Sequence, residues 1–248
     1  MYYYKLTVAY DGTNYCGWQV QKNDKTIQGI MMKAAKTLFG EDVTLTGASR
    51  TDSGVHANGQ VVLMASHKDM ETYKIPLALN MHLPRDIVVT KAEEVDETFH
   101  PRYIPHQKTY VYSVYNGPHH LPKDQRYSMH YRYNLKLEPM EEAAKYFIGT
   151  HDFESYSSIK KSIDQTIRTI HELKITKEGS MYRFKIVGNG FLYNMVRIMV
   201  GTLLEVGNGR RKPESIREGL EKKSRKAAGK TAPAKGLTLE CIDYLQGD

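Results

Sequence analysis

The chain has 248 residues, of which 40% are hydrophobic and 25% charged, a composition typical of a folded protein and unlike that of a disordered one. Its net charge of +7 is concentrated between Arg210 and Lys235, where ten basic residues stand against three acidic ones. Two cysteines are too few for a disulfide framework, which favours reduced thiols and a cytoplasmic location. The N-terminus lacks the apolar core of a signal peptide, and no window is long and apolar enough to span a membrane.

The sequence pattern of residues 1–100 predicts an N-terminal α+β subdomain. Alternating or apolar runs indicate strands at 2–10, 43–46, 60–64 and 87–95. Helical spacing of apolar residues indicates helices at 27–39, with Thr26 as N-cap and Gly40 as terminator, and at 75–81. Glycine and aspartate place loops after residue 10 and at 47–54.

Residues 101–248 predict a second α+β subdomain. Strands are expected at 106–116 and 239–244, together with a hairpin formed by 167–177 and 181–187. Helices are expected at 141–148, where Pro139 introduces the helix, at 192–206 and at 213–220. The similar mixture of elements in the two halves favours an α+β fold built from two related subdomains.

The densest candidate for a reactive site is the loop GASRTDSGVHA at residues 47–57. Gly54 can supply a positive φ, and Asp52 stands two residues from Arg50, whose charge would favour the ionised carboxylate. An ionised carboxylate on such a loop is suited to nucleophilic attack. The alternative is an aspartate that only closes a turn, with the arginine on the surface.

Two further segments are candidates for binding. Tyr110 and Tyr112 fall on one face of the strand at 106–116, where they can stack on nucleobases or pack in the core. Arg197 interrupts the apolar helix at 192–206, where it either pairs with a carboxylate or faces solvent. The sequence contains no zinc-ligand spacing, no Walker loop and no dinucleotide fingerprint, so the chemistry is expected to need neither metal nor nucleotide cofactor.

These segments resemble the TruA family of tRNA pseudouridine synthases. Residues 47–62, GASRTDSGVHANGQVV, are similar to the family's signature loop, approximately G-x-G-R-T-D-x-G-V-H-A followed by G-Q-V-V. Similar matches occur in the family's order over nearly the whole chain, at YDG (10–12), YCGWQ (15–19), LPRDI (83–87), FHPR (99–102), KTYVY (108–112), NMVR (194–197) and APAKGL (232–237).

The resemblance implies a pseudouridine synthase fold, with two pseudo-symmetric sheet-and-helix subdomains and a central, mainly antiparallel sheet. It implies that a uridine's N-glycosidic bond is broken and that the base rotates and reattaches through carbon, without a cofactor. By similarity Asp52 is the nucleophile, attacking either the ribose or the base. Tyr110 is expected to stack on the base, Arg197 to pair with the carboxylate, and Arg50 to help expose the base.

The implied substrate is tRNA, at uridines 38, 39 or 40 of the anticodon arm, bound by a homodimer. A base within a stem must be flipped out to react. Thr51, Gly54 and Tyr112 are expected to contact the substrate. From the basic segment, Lys222, Lys223 and Arg225 are expected to attract the phosphate backbone.

One residue departs from the family pattern, since Ser49 stands where the family usually has glycine. If that position needs a positive φ, serine strains the loop by roughly 1 kcal/mol. This residue motivates one alternative, a synthase acting on other tRNA positions or on another RNA. The basic segment motivates a second alternative, an RNA-binding protein without catalytic activity.

Overall fold

The computed structural model describes residues 1–158 and 166–245. The chain forms two compact units, the first comprising Met1–His106 and the chain from Thr238 onward, the second Gln107–Leu237. The sequence placed the boundary near residue 101 and the last strand in the second subdomain. That strand belongs to the first unit because it pairs there in parallel, Thr238 opposite His56. Among the described residues, no helix is long and apolar enough to cross a membrane.

The described residues contain ten strands and five α-helices. In chain order these are β1 (Tyr2–Tyr10), α1 (Ile27–Phe39), β2 (Thr44–Gly47), β3 (His56–Ser66), α2 (Lys74–Asn80), β4 (Ile87–Glu94), β5 (His106–Tyr115), β6 (Met129–His130), α3 (Leu137–Lys145), β7 (Gly149–Asp152), β8 (Ile167–Glu178), β9 (Met181–Gly188), α4 (Met195–Gly207), α5 (Ser215–Lys222) and β10 (Leu237–Tyr244).

The first unit is built on the strand order β4-β1-β3-β10, with β2 also paired to β3. β1 alternates exposed or half-buried residues with fully buried ones, as expected for a strand with one face on the core. The register between β1 and β3 shifts between Val8 and Tyr10, which lie opposite Gln60 and Ala57. Such a bulge bends the strand locally, here beside the loop that carries Asp52.

Helix α1 follows its predicted limits because both of its ends are capped. Thr26 Oγ1 accepts a hydrogen bond from Gly29 N at 3.3 Å. Gly40 ends the helix with a φ of 68°, and its amide donates to Lys36 O at 2.8 Å. These contacts satisfy groups that helix ends otherwise leave unbonded.

The second unit is built on the antiparallel order β5-β9-β8-β7, with β6 parallel to β5. Helices α3 and α4 pack on each other, and α3 also packs on β8. The α+β class with mainly antiparallel strands, expected from the sequence, is confirmed. The pseudo-symmetry of the two halves stays a prediction.

All three predicted helices in this unit have different limits, and α5 begins two residues later than predicted, at Ser215. α3 begins at Leu137 and ends at Lys145, with Pro139 inside its first turn, where a missing N–H costs nothing. α4 begins three residues later than predicted, at Met195, because Asn194 has a left-handed φ of 61°. The sequence gives no alternating pattern for β7, a four-residue edge strand, and it was missed.

Candidate active site

The loop joining β2 to β3, residues 48–55, is fixed at both ends by backbone hydrogen bonds. Ala48 N donates to Val61 O at 2.8 Å, and Val55 N donates across the turn to Asp52 O at 3.1 Å. Gly54 has a φ of 77°, which confirms the positive φ expected there. The loop carries four predicted site residues in sequence, Arg50, Thr51, Asp52 and Gly54.

Ser49 occupies its position without the strain considered from the sequence. It is not among the non-glycine residues with positive φ. Its backbone is instead held by one buried side chain, since Ser49 N donates to Gln60 Oε1 at 3.1 Å and Gln60 Nε2 donates to Ser49 O at 2.7 Å. A residue with a Cβ therefore fits this part of the loop.

A second loop, residues 11–18, lies directly against the first. Trp18 N donates to Thr51 O at 3.1 Å. A Cβ on Gly12 would lie 2.0 Å from Val55 O, and one on Gly17 would lie 2.6 Å from Thr51 O. Glycine is required at both positions because the two backbones approach too closely for any side chain. The sequence analysis took this segment as a turn and matched it to two family motifs, but did not predict its contact with the 48–55 loop.

The residues on either side of Asp52 are held by tyrosines. Thr51 is buried, and its hydroxyl shares a 2.7 Å hydrogen bond with the Tyr10 hydroxyl. Gly54 N donates to Tyr15 O at 3.3 Å. Asp52 itself is half-buried at the turn. The backbone that carries the Asp52 carboxylate is therefore held by hydrogen bonds on both sides, at Thr51 and at Gly54.

His56 is a site-forming residue that the sequence analysis did not single out. It is buried at the start of β3, and its Nδ1 lies 3.1 Å from Asp11 Oδ1. Gly12 N also points at this nitrogen, at 3.2 Å. The histidine thereby joins the two loops. The sequence signal that could have found it is its place in the family signature, four residues after Asp52.

In the second unit, Tyr110 and Tyr112 share the buried face of β5, as predicted. Tyr110 is 7% exposed and contacts Phe191 edge to face, with ring centroids 5.2 Å apart. Tyr112 is fully buried, and its hydroxyl donates to Pro233 O at 2.7 Å. Burial raises the pKa of Tyr112, and the nearby charge of Arg197 opposes that shift. Direct contact of Tyr112 with substrate stays a prediction; its observed contact supports the chain at Pro233.

Arg197 is held at two of its nitrogens. Its Nε donates to Ala232 O at 2.7 Å, and its Nη1 donates to Asn194 Oδ1 at 2.6 Å. Ala232 N donates in return to Arg197 O at 3.1 Å. The half-buried guanidinium is therefore oriented by its surroundings, and its pairing with Asp52 stays a prediction.

The lysines predicted to attract RNA have protein partners. Lys222 Nζ lies 3.1 Å from Glu218 Oε2, one turn earlier in α5. Lys223 Nζ lies 2.9 Å from Asp152 Oδ2 of β7, and this hydrogen bond raises the pKa of Lys223. Both ammonium groups remain largely exposed, so RNA would compete with these carboxylates for them.

Arg225 is a structural residue in its observed contacts. Its Nη1 donates to Gly229 O at 2.8 Å and its Nη2 to Thr231 Oγ1 at 3.0 Å. Partial burial lowers its pKa. The guanidinium thus closes the turn that leads to Ala232. Its predicted contact with substrate would use the donors that this turn leaves available, Nε and the second N–H of Nη2.

A family model described as tRNA pseudouridine synthase matches residues 6–104 and 143–245 of the chain. Two relatives named tRNA pseudouridine synthase A come from Acetivibrio thermocellus, 47% identical, and Thermoanaerobacter sp. strain X514, 46% identical. The alignments cover 97% and 96% of this chain and 98% of each relative. A Clostridium perfringens relative named tRNA pseudouridine synthase A 2 is 42% identical over 97% of this chain and 98% of its own length.

These matches run through both units and include both loops of the first unit and the α4 arginine of the second. They define an enzyme of the isomerase class. The chain belongs to the tRNA pseudouridine synthase family. Within residues 1–158 and 166–245, no group of three or more His, Cys, Asp or Glu side chains is placed to hold a metal ion.

Proposed function

We propose that this enzyme converts uridine to pseudouridine in tRNA, at position 38, 39 or 40 of the anticodon arm, with Asp52 as nucleophile. The observation that carries the proposal is the geometry of the 48–55 loop, which belongs to a chain matched over 96–97% of its length by tRNA pseudouridine synthases. The loop holds Asp52 half-exposed between residues whose backbone and side-chain contacts are fixed.

A fixed carboxylate suits this reaction because covalent attack requires the nucleophile to be held close to the reacting carbon. Attack on the ribose or on the base both require the ionised form. After the N-glycosidic bond breaks, the base turns and its C5 forms a bond to the ribose carbon. The bond to Asp52 is cleaved, which restores the carboxylate, while C5 loses its proton and N1 takes one up. Bonds and charges balance without an oxidant, a metal or a nucleotide.

Tyr110 and Arg197 have distinct proposed roles. Tyr110 supplies a ring already braced by Phe191, and an aromatic ring of this kind can stack on the flipped base while it turns. Arg197, oriented by Ala232 and Asn194, supplies the positive charge that keeps the carboxylate of Asp52 ionised. Arg50 is exposed on the loop and helps displace the base from its stack.

The test uses tRNA transcripts with tritium at uridine C5 and a single uridine at position 38, 39 or 40. Wild-type protein is expected to release tritium from at least one of them, and Asp52→Ala from none. Asp42→Asn, which removes an exposed carboxylate before β2, serves as the matched control and should behave as wild type. Tritium release by Asp52→Ala, or none by wild type, would contradict the proposal.

The enzyme is also proposed to act as a homodimer in the cytoplasm, as the family resemblance implies. Light scattering after size-exclusion chromatography, with and without tRNA, tests the first part. A monomeric mass at micromolar protein concentration under both conditions would refute it.

A further inference from the structure

The turn at residues 99–105, between β4 and β5, is rigidly built. It is supported by Tyr244 of β10, whose hydroxyl donates to Pro101 O at 2.9 Å and whose ring contacts Phe99 edge to face at 5.2 Å. Within the turn, Tyr103 N donates to His100 O at 3.2 Å. We call residues 100–103 the aromatic turn. Its shape is fixed by these contacts, so its exposed side chains project from a stable base.

Arg102 of this turn reaches the start of the loop that carries Asp52. Its Nε donates to Gly47 O at 2.7 Å, three residues before Arg50. Partial burial lowers the pKa of Arg102, and the positive charge of Arg50 lowers it further. Two guanidinium groups therefore lie close enough to repel each other.

Neither arginine of this pair is neutralised. In the described part of the chain, no carboxylate forms an ion pair with Arg50 or Arg102, and the Nη atoms of Arg102 have no acceptor. Two neighbouring cations without a counter-charge create a positive electrostatic potential, which attracts an anion. A guanidinium with both terminal nitrogens available matches the geometry of a phosphate group.

Tyr103 presents an aromatic surface beside the arginines. The residue is 82% exposed, and its ring lies on the His100 ring with centroids 4.0 Å apart and planes at 18°. One face of the tyrosine is covered by the imidazole, while the other is available. A pre-stacked, exposed ring is a platform for a nucleobase because every base offers a flat π-face.

We propose that the aromatic turn and Arg50 form a second contact with the RNA strand, in which Arg102 binds a backbone phosphate and Tyr103 stacks on an unpaired base. The inference rests on the proposed function, since it assumes that the Asp52 loop acts on RNA. It adds a binding element for the nucleotides next to the reacting uridine. The Nη atoms of Arg102 bind the phosphate while its Nε still donates to Gly47 O. RNA binding is thereby coupled to the position of the 48–55 loop.

Fluorescence anisotropy with a labelled anticodon stem-loop tests the base contact. Tyr103→Ala is expected to weaken binding about tenfold, in line with the loss of one stacked base, while Tyr103→Phe retains wild-type affinity. Tyr73→Ala removes another exposed tyrosine, at the start of α2, and should leave affinity unchanged. Equal affinities for Tyr103→Ala and wild type would overturn this part of the proposal.

The phosphate contact is tested by repeating the titration from about 50 to 300 mM salt. Arg102→Gln should reduce the slope of log K against log salt by about one, and Arg102→Lys should restore most of that slope. An unchanged slope with a lowered melting temperature would instead make Arg102 a purely structural anchor of Gly47. A polyglutamate peptide that displaces the stem-loop at matched charge concentration would identify a site for acidic polymers in general and would also overturn the proposal.

Tritium release by each variant separates the two hypotheses. If wild type releases tritium while Tyr103→Ala and Arg102→Gln keep its KM and affinity, only the second RNA contact fails. If wild type neither releases tritium nor binds the stem-loop, the proposed function fails, and this inference fails with it. A rise in KM of the two variants, with kcat within about threefold of wild type, is the expected result.

Discussion

The loop at residues 48–55 and the segment Arg210–Lys235 differ in how well their net charge indicates the groups available to bind RNA. The segment contains the whole +7 excess of the chain, yet Lys222 and Lys223 are each paired with a carboxylate, and Arg225 is half-buried and bound to the backbone of its own turn. The loop lies in the charge-balanced part, yet Arg50 and its neighbour Arg102 lack any ion pair among the described residues. Electrostatic attraction for RNA depends on charges that are available, which a count along the sequence does not reveal.

The segment nevertheless supports the candidate active site, through its backbone. The carbonyl of Ala232 accepts from Arg197, and the carbonyl of Pro233 accepts from Tyr112. Arg225 closes the turn that leads to them by binding Gly229 O. We therefore interpret Arg210–Lys235 mainly as a brace for the second unit's site residues and only secondarily as a phosphate guide.

The largest expected effect on turnover comes from replacing Arg197, which donates to Ala232 O of this segment. Arg197→Ala should lower kcat on the order of 1,000-fold, with tRNA affinity within about threefold of wild type, because it removes the charge that we propose keeps the carboxylate of Asp52 ionised. Arg197→Lys keeps the charge but cannot contact both Ala232 O and Asn194 Oδ1, so about 100-fold loss is expected. Single-turnover tritium release and anisotropy measure the two quantities. Parallel loss of affinity and turnover would make Arg197 an RNA-contact residue.

A smaller effect on activity, with a clear loss of stability, is expected from Gly12→Ala. Its Cβ would lie 2.0 Å from Val55 O, so one of the two loops must move. We expect the free energy of unfolding to fall by about 1–3 kcal/mol and kcat by about 100-fold, since small misplacements of a reacting group are costly. Urea denaturation and tritium release provide the measurements.

Gly190→Ala is the matched control for that substitution. Its Cβ would contact only side-chain atoms of Arg168, at 3.6–3.7 Å, and its φ is not positive. It should unfold at a urea concentration close to that of wild type. If Gly12→Ala were equally harmless, the close packing of the two loops would not be what positions Asp52.

His56→Gln tests the side-chain contact that joins the same two loops, residues 11–18 and 48–55. Removing the imidazole takes the Nδ1 acceptor from the Gly12 amide and removes the contact with Asp11, which keeps its hydrogen bonds from Thr13; this should cost about 1–3 kcal/mol of stability. We expect kcat to fall about tenfold with KM unchanged, because the histidine joins the two loops and is buried, with little surface for the RNA. A rise in KM at constant kcat would instead assign His56 to substrate binding.

The elements that the sequence predicted well are those with local determinants. Thr26 and Gly40 cap α1, so its limits could be predicted from the sequence, and the positive φ of Gly54 follows from the turn. The start of α4 could not be predicted, because the left-handed conformation of Asn194 accompanies a hydrogen bond between its side chain and Arg197. β7 depends on its pairing with β8 and has no apolar pattern of its own.

The same distinction holds for the candidate site. Asp52, Tyr110 and Arg197 stand in motifs whose order along the chain resembles a known family, so they were found. The bond between Arg102 and Gly47 joins residues 55 positions apart, and the contact between His56 and Asp11 joins residues 45 apart. Neither contact has a periodic or spacing signal, because each results from packing of segments distant in sequence.

The smallest expected effect is on the salt dependence of tRNA binding. It compares a lysine without an ion pair and a lysine with one, both from the basic segment. Lys226 is exposed and has no ion-pair partner among the described residues, whereas Lys223 is paired with Asp152. If availability decides RNA attraction, Lys226→Gln should lower the salt slope of tRNA binding by about one, and Lys223→Gln by clearly less, since its ammonium must first leave a carboxylate. Anisotropy titrations of the two variants against one tRNA measure this difference. Equal slopes for both variants would mean that RNA displaces Asp152 at little cost, and the segment would then be the phosphate guide that its charge count indicates.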